Sequence, residues 1–132
     1  MTYKNLEISE KFLQLNPNAY FVFGDNLERR GLGGAAALRF NPHAIGFITK
    51  KFPDNRDTSF YDPSEYREVF FEELEKLRRI IISRPEKTFY ISKLGAGLAN
   101  RYQIWERLIR DNLIKTFENF ENVVFCWEEE NI

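Results

Sequence analysis

Four short runs of consecutive apolar residues, 20–23, 44–49, 88–92 and 123–127, are rich in aromatic and β-branched side chains and are bounded by Gly, Pro, Asn and Asp. That pattern predicts buried strands. Between the runs, apolar positions recur with a helical period. In Asp62-Pro63-Ser64-Glu65 an N-cap, a first-turn proline and a capping-box glutamate stand together, and Tyr66, Phe70, Leu74, Leu77 and Ile81 then share one face up to Pro85. A second amphipathic helix is predicted over 101–117, with Trp105, Leu108, Ile109 and Leu113 facing inward. Shorter helices are predicted over 9–15 and 34–40.

Strands alternate with helices, and the strands are apolar throughout rather than at every second position, which predicts burial on both faces. The expected fold class is α/β, a three-layer α/β/α arrangement around a mostly parallel central sheet, in one domain over 1–132. Such sheets bind ligands beyond the carboxyl ends of their strands, so chemistry is expected in the segments that follow each strand. The polar, charged stretch 52–61 is long enough to fold over a site as a lid.

Composition narrows the choices. Lys+Arg at 19 against Asp+Glu at 20 gives a net charge of -1, so no basic excess supports a nucleic-acid partner. Hydrophobic residues at 43% and aromatics at 16% supply a core and argue against disorder. Cys126 is the only cysteine, which excludes an internal disulfide and suits a reducing, cytoplasmic setting. With His43 as the only histidine, a metal site would rest on carboxylates almost alone, and neither a metal nor a cofactor is expected. No run approaches the roughly 20 apolar residues of a membrane span, and the first ten residues lack the apolar core of a signal peptide. The oligomeric state is not legible.

The glycines are few and grouped. Six of the seven, Gly24, Gly31, Gly33, Gly34, Gly95 and Gly97, follow the first and third predicted strands, while Gly46 lies within the second. The segment after the first strand runs from Gly24-Asp25-Asn26 to Gly31-Leu32-Gly33-Gly34-Ala35-Ala36, and the third strand leads into Lys93-Leu94-Gly95-Ala96-Gly97-Leu98-Ala99. Each reads as a small-residue loop opening a helix, where free backbone N–H groups can cradle a phosphate. A tight turn ahead of a closely packed helix is the simpler alternative for either loop alone; a pair can hold a diphosphate from two sides. Neither segment is a Walker P-loop or a Gly-x-Gly-x-x-Gly fingerprint, which disfavours ATP hydrolysis and dinucleotide binding.

At these residues the chain resembles the macrodomain family, an ADP-ribose-binding α/β fold. Gly24-Asp25-Asn26 through Gly33-Gly34-Ala35 is similar to that family's first ligand loop, and Leu94-Gly95-Ala96-Gly97-Leu98 to its diphosphate loop. The likeness extends through Ile48-Thr49-Lys50-Lys51 and Arg101-Tyr102-Gln103-Ile104-Trp105-Glu106, covering 20–127. It is closest to the branch of the terminal ADP-ribose protein glycohydrolase and to small phage-encoded macro-like proteins.

The resemblance implies an ADP-ribose-type nucleotide, or an ADP-ribosylated macromolecule, as partner. It places Gly33, Gly34 and Ala35 on one side of a diphosphate and Gly95, Ala96, Gly97 and Leu98 on the other, with Gly24, Gly31, Leu32, Thr49 and Leu94 completing the ligand set. Asn26 matches an asparagine near the distal ribose, or is a turn residue. Lys50 matches the glycohydrolase branch's attacking lysine; neutralising ligand charge and plain surface exposure are its alternatives. Lys51 is a candidate to lower the Lys50 pKa. Two acid positions of hydrolytic branches are Ala36 and Ala99 here, so Asp25 is the substitute acid in reach, with Asp54, Asp57 and Asp62 on or beside the lid. The leading strand that carries an aspartate over the adenine is not visible in the sequence. Trp127 is the candidate to stack on the base, or a core aromatic. Three functions therefore stay open: an ADP-ribosyl hydrolase using Lys50, Asn26 and Asp25; a reader or scavenger without turnover; and a structural or partner-binding domain.

Overall fold

A computed structural model describes residues 1–130. Along the chain run β1 (Thr2–Tyr3), α1 (Glu10–Leu15), β2 (Ala19–Asn26), β3 (Ala44–Lys50), α2 (Pro63–Ser83), β4 (Thr88–Ile91), α3 (Arg110–Phe117) and β5 (Val123–Phe125). The strands form one five-stranded sheet in the order β1-β5-β4-β2-β3, and every neighbouring pair is parallel. The fold is thus α/β. A leading strand does exist, contrary to the sequence reading: β1 is only two residues long and is held by backbone pairing to β5, which no hydrophobic pattern announces.

The sheet is covered on both faces. On β2, Ala19, Phe21 and Phe23 join one apolar cluster with Leu13 of α1, while Val22 joins the other, with Phe70 of α2 and Leu113 of α3. This alternation is the period-two geometry of a strand buried on both sides. The larger layer rests on α2, where Tyr66, Phe70, Leu74, Leu77 and Ile81 are all buried. Its start is fixed as the sequence predicts: the Asp62 side chain accepts from the Glu65 N–H, and the Glu65 side chain accepts in return from the Asp62 N–H.

The helix predicted over 101–117 divides. Asn100 Oδ1 accepts from the Trp105 N–H at 3.0 Å, Gln103 sits at φ 62°, and a single π-helical turn, Trp105–Ile109, precedes α3. The helix predicted over 34–40 is a five-residue 3-10 helix, Gly34–Leu38.

α2 also closes the free side of β3. Glu73, buried despite its charge, accepts from the Ile48 N–H at 2.8 Å, and the Tyr66 hydroxyl donates to the Ile48 carbonyl. Further along, Lys50 bridges to Phe60, and the Lys51 N–H donates to Ser59 O at 2.8 Å. The segment 52–61 is therefore not a loose flap. It is a folded loop in which Asp54 accepts from Ser59 Oγ and from Arg56.

Replacing Glu73 by alanine leaves the Ile48 N–H buried without an acceptor and should cost about 1–3 kcal/mol. Glu73→Gln keeps an acceptor oxygen and should lose much less, a difference that urea midpoints will resolve.

Candidate functional site

The order of strands decides where a crevice opens. β2 and β4 are neighbours, yet the chain leaves β2 toward β3 on one side and leaves β4 toward β5 on the other. The outgoing segments also take opposite faces: the 3-10 helix places Leu38 in one apolar cluster, and α3 places Leu113 in the other. Two adjacent parallel strands whose connections diverge leave a gap beyond their carboxyl ends. A cleft of about 560 Å³ occupies this position, within the range of small-molecule sites.

Both glycine loops border it. From the first come Gly24, Asp25, Asn26, Gly31, Gly33, Gly34 and Ala35; from the second, Leu94, Gly95, Gly97 and Leu98; and from the end of β3, Thr49 and Lys50. Three of the predicted ligand-contacting residues do not border it. Leu32 is exposed on its loop, Ala96 packs partly against the core, and Trp127, 5% exposed, lies among Tyr3, Trp105 and Phe125. Trp127 is a core aromatic here, removed from any role over a base.

The glycines divide by cause. A Cβ on Gly95 would stand 2.7 Å from Ile109 Cδ1, and its φ of +75° already excludes most side chains. Gly46 lies under the Asp25 carboxylate, and a Cβ on Gly24 would crowd Thr49 Oγ1 at 3.1 Å. Gly33 and Gly97 differ: neither has a positive φ, and a Cβ on either would meet no atom within 4 Å. Packing does not require glycine at these two positions, one on each loop. Among the described residues, the N–H groups of Gly33, Gly34, Ala35, Gly97 and Leu98 have no backbone acceptor, leaving them free for a ligand.

Arg39, which the sequence reading passed over, organises the first loop. Its guanidinium donates to both Asp25 oxygens, at 2.7 and 3.0 Å, and to the Gly31 and Arg30 carbonyls, at 3.0 and 3.1 Å. Asp25 also accepts from the Asn26 N–H at 2.8 Å, and its side chain is 2% exposed. Asp25 is therefore a bracing carboxylate, not a free acid. Asn26 is a second brace: its Oδ1 accepts from the Glu28 N–H at 3.0 Å and its Nδ2 donates to the Arg30 carbonyl at 2.8 Å. This is an Asx turn, with the backbone carbonyls of the loop drawn to one side.

The remaining acids are also committed. Asp54 serves the 52–61 loop, Asp57 pairs with Arg101, and Asp62 caps α2; none borders the cleft. Ala36 and Ala99 do border it, presenting methyl groups to the cleft. Pro53 and Asn55 bring the 52–61 loop to the rim of the cleft.

Lys50 is placed differently from its neighbour. Its ammonium lies 3.5 Å from Asn55 Oδ1 and 4.8 Å from the centre of the Phe60 ring, with no carboxylate in ion-pair range among the described residues. Partial burial holds its pKa below the usual lysine value, and Arg101 adds to the lowering against an opposing pull from Asp54. Lys51 turns away to Glu65 at 2.7 Å, which raises its pKa; Arg101, not Lys51, is the cation beside Lys50. Burial pushes the Cys126 thiol up to about 12, away from thiolate chemistry. His43 stacks on Tyr20 near the opposite ends of the strands, where its Nδ1 meets the Ala19 carbonyl. Among the described residues no three His, Cys, Asp or Glu side chains are grouped to hold a metal ion, and no helix is long and apolar enough to cross a membrane.

The chain belongs to DUF7831, a family of unknown function, which matches it over residues 3–101. That span contains every residue bordering the cleft. No curated protein and no solved structure matches the chain.

Two outcomes follow from this geometry. Arg39→Met leaves the buried Asp25 carboxylate with only the half-exposed Arg29 as counter-ion, at 3.4 Å, and should destabilise the fold by about 3 kcal/mol, with Asp25→Asn in the same chain recovering part of the loss in a denaturant titration. A lowered pKa leaves more Lys50 as free amine at a given pH. Limited acylation at mildly alkaline pH, followed by peptide mass mapping, should therefore label Lys50 ahead of Lys51.

Proposed function

We propose that the cleft binds ADP-ribose or a closely related nucleotide derivative, with its diphosphate held between the backbone N–H groups of the two glycine loops. The observation that carries this reading is Gly33, whose lack of a side chain neither packing nor its extended backbone requires, beside the free N–H groups of both loops. A ligand's close approach would account for it. The resemblance of the two loops to those of macrodomains supplies the ligand class, and the switch-point position of the cleft agrees with it. Arg30, Arg39, Lys50 and Lys93 border the cleft against Asp25 alone, so its charge suits an anion.

The reading favours binding over turnover. Cleavage of a glycosidic linkage calls for a group that donates a proton to the leaving atom or activates water. The one carboxylate on the cleft is held by Arg39, and Asn26 is engaged in its own loop. A reader or scavenger of an ADP-ribose-type nucleotide fits these residues best. The amine of Lys50, more readily deprotonated than an ordinary lysine, keeps a covalent hydrolase as the second reading.

Calorimetry with ADP-ribose should show binding to the native chain. Gly33→Val, whose side chain projects into open space from extended backbone, should leave the thermal midpoint nearly unchanged and weaken binding by at least about 10-fold, because the valine occupies the ligand's place. Absence of heat with the native chain removes the proposal. Incubation with ADP-ribosylated protein separates the two readings: release of ADP-ribose that is lost in Lys50→Ala establishes the hydrolase, and retention without release establishes the reader.

A further inference from the structure

Helix α2 carries a second ordered line of residues besides its buried face. Arg67, Phe71, Glu75, Arg78 and Ile82 recur at helical spacing within an arc of about 80° on the helix surface, and all five are exposed. Phe71 is 37% and Ile82 51% exposed. The Phe71 ring is met by Phe70 and by the Arg67 guanidinium, both of its own helix. Large apolar side chains scattered singly over a surface are ordinary; these two share one flank with a fixed pattern of charge.

That pattern is self-complementary under a two-fold rotation. Phe71 and Ile82 lie equally far from the point midway between Lys76 and Leu77, and so do Glu75 and Arg78. A second α2 laid antiparallel against the first, with the axis through that point, sets Glu75 opposite Arg78 of the other copy and Phe71 opposite its Ile82, each contact occurring twice. Farther out, Arg67 comes opposite the turn that carries Glu86, again an opposite charge. A parallel pairing in register would instead set every charge against itself. Within one chain these charges are incompletely matched. Arg79 and Arg78 approach the same Glu75 oxygen, Oε1, at 3.2 and 3.9 Å, which leaves Oε2 without an ion pair among the described residues. Arg67 lies over its own Phe71, with no carboxylate in ion-pair range among the described residues.

We propose that this flank of α2 is the interface of a symmetric homodimer, occupied by a second copy of this chain through antiparallel α2 helices. Two Glu75–Arg78 pairs lie at its middle, and a Phe71–Ile82 contact flanks them on either side. A contact made by one helix flank per copy belongs with the small interfaces, below about 1,200 Å², and gives a dimer that dissociates on dilution. None of these residues borders the cleft, so the pairing does not depend on what the cleft holds.

Sedimentation velocity over about 5 to 500 μM should carry the native chain from monomer to dimer. Glu75→Arg and Arg78→Glu, each alone, place like charges across the axis and should weaken dimerisation by about 10-fold or more. Mixed in equal amounts, the two variants should regain it, because each offers the charge that the other lacks; the contact between Glu75 and Arg78 inside one helix gains nothing from mixing. Phe71→Asp should leave a monomer at every concentration, and a thermal midpoint near the native value distinguishes a lost interface from a lost fold. A native chain that stays monomeric throughout, single variants that dimerise as it does, or a mixture that fails to recover association overturns the proposal. Ligand binding at the cleft is unaffected by any of these outcomes.

Discussion

The pairing of β2 with β4, from Ala19 opposite Thr88 to Val22 opposite Ile91, is the contact on which the rest depends. It joins two strands that lie far apart in the chain and are separated by β3 and the whole of α2. Because both run in the same direction, both glycine loops emerge at one edge of the sheet. Because the chain then leaves them in opposite directions, the loops border a gap instead of packing across it. An antiparallel pairing of the same two strands would have put the loops at opposite edges, and neither would have had a partner.

Within that frame, the first loop is shaped by charge and the second by apolar contact. Asp25 lies over Gly46 and is met by both arms of Arg39, whose remaining donors reach the loop carbonyls of Arg30 and Gly31. The second loop instead turns on Gly95, pressed against Ile104 and Ile109 where the π-helical turn begins the path into α3. A salt bridge this deep brings little net stability against an apolar alternative, but loss of Arg39 leaves Asp25 only the longer contact to Arg29. The first loop is thus sensitive to single substitutions that remove half of the pair. The second is sensitive to added volume.

The sequence made the α/β class legible because continuous apolar runs and a capped amphipathic helix are local signals. Asp62 and Glu65 cap α2 as their spacing requires, and the apolar face from Tyr66 to Ile81 is buried in full. Most glycines of the two loops could also be placed beside one another, since carboxyl ends of parallel strands share an edge. What could not be read depended on contacts between distant residues. Arg39 finds Asp25 across fourteen positions only after the loop has closed, and β1 exists only because β5 offers it an edge. Lys50 and Lys51 are adjacent in sequence, yet strand alternation sends one to the cleft and the other to Glu65. Trp127 misled because a tryptophan after a strand looks the same whether it faces a base or, as here, Trp105 and Phe125.

Glu73, Tyr66 and the 52–61 loop occupy the outer hydrogen-bonding groups of β3 around Ile48 and Lys50. Edge strands ordinarily invite recruitment of a foreign strand, and natural sheets resist it by covering or charging the edge. Here the invitation is withdrawn on the side where the sheet is longest and most apolar. The opposite edge offers a strand of two residues, Thr2 and Tyr3, too short to template much. Extension of the backbone ladder is thus obstructed at Ile48 and offered only two residues at the other edge, which leaves side chains and loops as the fuller contact surfaces.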